Sequence, residues 1–253
     1  AFTFNRALGV VFRGTLVDRL HCAIGVTNGL DNQDDSPSLE QLDTHFAYTG
    51  RLVATILGER IRDESDLAYA QTPQLEFGMS LAAHDDNGDR RNDAWFAVPD
   101  GLRRGRGIGG YGTADLSGAG LLQFGTDAAF RYRGFSLTAE YWLRCVDGED
   151  PRNEWERFTG RDDPLHQQGG YVQAGYFLVP RRIEIAGRVG GVWDSGGDNS
   201  WAWAAALSYF PFESRDVVLQ TDFTRIEESP VGSTSTGWGQ NDEVNMVRVQ
   251  LQV

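Results

Sequence analysis

Lysine is absent from this chain of 253 residues; all 23 basic side chains are arginine, set against 36 acids. The formal net charge of −13 excludes the basic footprint of a nucleic-acid-binding protein. Cysteine is nearly absent too. Cys22 and Cys145 lie far apart, each on the apolar parity of its strand, and read as two buried small hydrophobes rather than a disulfide or a metal pair. No apolar run approaches the ~18 residues of a membrane-spanning helix, so any membrane reading must rest on alternating strands. The histidines His21, His45, His84 and His166 are scattered without metal-ligand spacing. No G-x-S-x-G is present, and GRGIGGYG (105–112) is not followed by Lys-Ser/Thr, so it is no phosphate loop. Two acidic runs, Asp31–Asp35 and Asp85–Asp89, read as solvated loop acids; the second lacks a glycine at its sixth position and has Phe96 where a calcium loop needs Glu. No enzyme, cofactor or resident metal is expected.

What the chain has is alternation. Gly170 to Trp193 reads as two strands with a turn at Pro180-Arg181: Val172, Ala174, Tyr176 and Leu178, then Ile183, Ile185 and Val189, alternate with Gln173, Gly175, Glu184, Ala186 and Arg188. Side chains on a strand alternate between faces, so one face is apolar and the other polar. The pattern recurs along the chain, for example over Asn5–Leu16, Leu20–Gly29, His45–Leu57, Leu122–Arg133 and Phe135–Cys145, and in the closing VRVQLQV. The expected fold is all-β: about eleven antiparallel strands of a transmembrane barrel in a single domain, with long loops near 30–43, 83–117, 146–169 and 227–242. Short turns alternate with long loops except at Gly58–Thr72, which has room for a short helix. Sorting turns to one rim and loops to the other is an outer-membrane pattern.

Charged residues of the minority parity sit mid-strand and need water beside them, because burying an unpaired charge is prohibitive. Arg13, Arg51, Arg131, Arg133, Arg144, Glu140, Glu184, Arg188 and Arg248 are therefore the candidates to line a water-filled lumen. Arg103, Arg104 and Arg106 are candidates for a folded-in constriction loop. Aromatics near strand ends (Tyr132, Tyr141, Tyr171, Trp193, Trp201, Trp203, Tyr209, Phe210) suit interfacial girdles. The odd strand count leads to the expectation of about five further strands before Ala1, roughly sixteen in all.

GRLVATIL (50–57), FSLTAEYWLRCVDG (135–148), GGYVQAGYFLVPRRIEIAGRVGGVW (169–193) and RALGVVFRGTLVDRLHCAIGVTNG (6–29) resemble the phosphate-selective porin O/P family. The likeness covers about residues 6 to 253 and rests on barrel-framework motifs. It implies a trimeric outer-membrane channel whose lumen carries an arginine ladder and lysines for anions. The lack of lysine departs from that pattern. Arginine offers phosphate a bidentate fit, while cross-strand pairing with Glu76, Asp127, Glu140, Glu184 and Asp222 leaves little net field. The expected partners are outer-membrane lipid, lipopolysaccharide, small ions or solutes and further copies of the chain, with no nucleic acid. Two readings stay open beside the porin: a structural or docking barrel of an envelope assembly, and a soluble all-β binding domain.

Overall fold

Period-two alternation with aromatic and β-branched residues on one parity favours strands throughout, and strands are what form. The computed structural model describes residues 9–28, 46–61, 63–85, 95–97, 113–115, 119–148, 165–194, 199–228 and 243–252. The elements are β1 (Gly9–Val17), β2 (Leu20–Asn28), β3 (Phe46–Leu57), β4 (Gln74–Asp85), β5 (Trp95–Ala97), β6 (Thr113–Asp115), β7 (Ala119–Tyr132), β8 (Phe135–Gly148), β9 (Leu165–Val179), β10 (Ile183–Asp194), β11 (Asn199–Tyr209), β12 (Val218–Glu227) and β13 (Val244–Gln252). Eleven of these make one antiparallel sheet in which each strand pairs with its neighbour in sequence; β5 and β6 pair separately. The described chain is thus all-β, an up-and-down meander whose edges are β1 and β13.

Two expectations about connections are corrected. The stretch 83–117 is not wholly irregular: β4 continues to Asp85, and β5 and β6 pair with Phe96 opposite Ala114. No short helix forms among the described residues between β3 and β4, which make bends and one turn. The loop at 30–43 lies outside the described residues.

Register sorts every strand onto two faces. Ile185 faces Tyr176 and Leu207, and Leu207 faces Thr221, which faces Val249. On the other side Asp127 faces Glu140, Glu140 faces Tyr171, and Asp222 faces Arg248. One row of register partners starts beside the β1–β2 turn at Thr15 and runs strand by strand to Val244, at the opposite end of β13. That drift is the stagger that strands tilted against a barrel axis require. The polar face is concave, since residues from β8 to β13 border one cavity.

The turns on one rim are tight for identifiable reasons. Arg133 and Gly134 join β7 to β8 as a two-residue hairpin, and both have positive φ (49° and 83°), as the hairpin-favouring type I′ turn requires. Three residues join β9 to β10, with Arg181 at φ 61° and the Arg182 amide donating to Val179 O at 2.9 Å.

Candidate functional site

On the concave face the charges come in bridges and stacks. Arg51 of β3 reaches over β4 to Asp127 of β7 as a two-pronged fork, with N–O distances of 2.8 and 3.0 Å. Gly78 lies under that crossing; a Cβ there would stand 2.5 Å from both Asp127 carboxylate oxygens. Arg248 donates from Nε to Asp222 at 2.9 Å, and Arg144 from Nε to Gln167 Oε1 at 2.8 Å, each pair being direct register partners. Glu140 accepts the Tyr171 hydroxyl at 2.8 Å. The Arg188 guanidinium lies 3.6 Å above the same tyrosine ring, and Trp142 packs against that ring at 5.7 Å. Thr55 donates to Glu76 at 2.8 Å.

Arg13, Arg51, Arg131, Arg144, Arg188, Arg248, Glu140 and Glu184 therefore all share the concave face, Arg13 on the exposed edge strand β1. Arg133 does not join them. It sits in the β7–β8 turn, exposed, with its guanidinium 5.1 Å from the Tyr132 ring, because the turn ends the alternation that parity extrapolated. Arg103, Arg104 and Arg106 lie outside the described residues. Two aromatics read as girdle members also belong elsewhere: Tyr171 is on the concave face, and Phe210 is buried. The two cysteines are not disulfide-bonded; they stand half-exposed on the convex face rather than buried.

The feature that sequence reasoning missed is the connection between β3 and β4, residues 58–73. It leaves the rim of tight turns and folds across the concave face to β11 and β12. Asp66, only 1 % exposed, fastens it: its carboxylate accepts from the Ala70 amide at 2.9 Å and from the Gly134 amide at 2.7 Å. The Arg133 amide donates to Ala70 O at 2.9 Å, and Arg181 Nη2 donates to Ala68 O at 3.1 Å. At its far reach Arg215 pairs with Asp63 at 3.0 Å and donates to Ser65 Oγ at 3.4 Å. Leu67 and Tyr69 pack on a buried cluster of Phe177, Phe210 and Val218, with the two Phe rings 5.7 Å apart. A Cβ on Gly134 would stand 2.6 Å from the Tyr69 ring, so the turn's glycine also seats the segment.

Between this segment and the sheet lies a cavity of about 930 Å³, bordered by Asp63, Glu64, Glu184, Arg188, Arg215 and Trp142 among others. Glu184 is 6 % exposed, and Gly175 makes room for it: a Cβ at Gly175 would stand 2.7 Å from Glu184 Oε1. Arg131, equally buried, lies within the field of Asp63, Asp66 and Glu184. What could have flagged the segment in the sequence is its length on a rim of short turns. Phe177 and Tyr171 share the parity of Gln173, which was a legible signal. No protein-family model and no curated protein matches the chain.

Proposed function

We propose that this chain forms a large part of the wall of an outer-membrane channel through which small hydrophilic solutes diffuse, with no chemistry performed on them. The observation that carries the reading is the convex face. Phe12, Ile24, Tyr48, Leu81, Leu122, Val172, Val189, Leu207 and Val249 stand 45–73 % exposed, all on that side, and together they reach across the sheet. Soluble monomers rarely expose an apolar patch beyond a few hundred Å², and each Å² left in water forgoes about 25 cal/mol. Lipid removes that cost. The concave face, with its bridged arginines and carboxylates, needs water instead.

The aromatic layout agrees. On the convex face Trp193, Trp201 and Trp203 stand toward the loop rim, with Trp193 and Trp201 edge-to-face at 5.3 Å, while Phe135, Tyr176 and Tyr209 stand toward the turn rim. Trp201 and Tyr209 on β11 are separated by about 27 Å of strand, or roughly 20 Å once a ~40° tilt is allowed for, close to the ~25 Å apolar band of such barrels. The test is extraction and recording. The chain is expected in the outer-membrane fraction, dependent on detergent, with heat-modifiable gel mobility and stepwise conductance in planar bilayers. A chain that stays monodisperse in plain buffer refutes the proposal.

A further inference from the structure

We infer that the β3–β4 segment is the constriction of this channel and that it makes the turn-side mouth favour small cations and amine-bearing solutes over anions. This inference rests on the channel reading and gives it a substrate class.

The segment is placed to constrict. It projects from a rim where the neighbouring hairpins close within two or three residues, and it crosses the concave face instead of lying outside it. Its fastenings fall on three separate connections: the Gly134 turn, Arg181 of the next hairpin and Arg215 before β12. Anchors that far apart hold a fixed bridge rather than a swinging flap.

Its charges set the preference. Of the arginines expected to attract anions, Arg51 is paired with Asp127 and Arg248 with Asp222, while Arg188 lies flat on a tyrosine that is bonded to Glu140; Arg215, which also borders the cavity, is paired with Asp63. Two carboxylates lack a close ion pair. Glu184 borders the cavity at 6 % exposure and makes no close ion pair among the described residues, the Arg131 and Arg215 guanidiniums acting on it only from farther off. Glu64, exposed on the segment, borders the same cavity and likewise has no ion pair among the described residues. An ionised carboxylate held away from bulk water attracts a counter-charge that enters, the alternative being to take up a proton, and acidic side chains around a narrow passage are an established way to select cations. An amine-bearing solute meets Glu64 at the entrance and Glu184 beneath it.

The decisive measurement is the reversal potential of the full chain in planar bilayers under a KCl gradient, for the parent, Glu64→Gln, Glu184→Gln and the control Glu213→Gln. Glu213 is exposed in the β11–β12 connection, paired with Arg182 and outside the cavity. The parent is expected to reverse toward the potassium potential, and each of the two cavity variants to shift toward chloride, with no shift in the control. Asp66→Ala, which unfastens the segment, is expected to raise single-channel conductance and weaken the preference. Conducting channels whose reversal potential is unchanged in both cavity variants, or shifts equally in the control, overturn this inference and leave the channel reading standing. Insertion without any conductance removes both.

Discussion

Two residues that are neighbours on one strand meet different worlds in this protein. Tyr176 points from the convex face with 48 % of its surface uncovered; Phe177, next along β9, is 1 % exposed beneath the β3–β4 segment. On the convex side apolar side chains touch neighbours within the sheet, as Trp203 and Phe223 do at 5.3 Å, but no second layer of described residues covers them, so the medium around the chain decides their worth. On the concave side, near the turn rim, there is a small conventional core; farther along the same face the described residues form bridges and polar contacts, with a few buried apolar side chains such as Leu121 and Val244 among them. The contrast teaches that the sheet is stabilised by packing only where a second layer lies on it. Elsewhere its backbone ladder and the surrounding medium do that work.

The largest expected effect tests that contrast at this pair. Phe177→Ala opens a hole against Phe210, Val218, Leu67 and Tyr69 and is expected to cost about 3–5 kcal/mol, the range for a buried Phe truncation. Tyr176→Ala removes a ring that touches the medium and is expected to cost only a fraction of that. Urea unfolding from lipid vesicles measures both. Equal losses would mean that the segment is not the packing layer described above.

A step smaller is the charge test on β11. Leu207→Arg places a guanidinium on the convex face two residues from the Tyr209 row, where about 1–3 kcal/mol is expected, short of the about 2–4 kcal/mol at the midplane of a bilayer. Ala206→Arg puts the same group one residue earlier, on the concave face opposite Asp222, and is expected to change folding little. Vesicle-folding titrations compare the two. Similar costs at both positions would erase the distinction between the faces.

Much of this arrangement was legible because alternation is a local signal. Parity alone assigned Arg13, Arg51, Arg144, Arg188 and Arg248 to one face, and no long-range contact was needed for that. It failed where the chain stops alternating. Arg133 follows β7 by a single residue, and the positive φ of the turn takes it off the wall. Tyr171 was assigned by chemical type, as an interfacial aromatic, when its parity already said otherwise. The β3–β4 segment was opaque for a different reason. Asp66 is one acid among several in RDESD, and its role comes from the Gly134 amide, 68 positions away. A turn's backbone donor leaves no mark on the sequence.

The smallest effect concerns what the bridges on the concave face are for. Arg51 and Asp127 meet in good fork geometry, yet their side chains keep 46 % and 25 % of their surface. A pair so exposed is worth at most about 1 kcal/mol, and less as salt screens it. Asp127→Asn is therefore expected to shift the urea midpoint barely, and by less still at ~1 M salt. Its stronger consequence is electrical: the change leaves Arg51 without its fork partner above Gly78 and adds one uncompensated positive charge to the concave wall. The reversal potential is expected to move toward chloride while stability holds. If stability instead falls by several kcal/mol with selectivity unchanged, the bridge is a structural strut, and the concave face resembles a protein interior more than a water-filled wall.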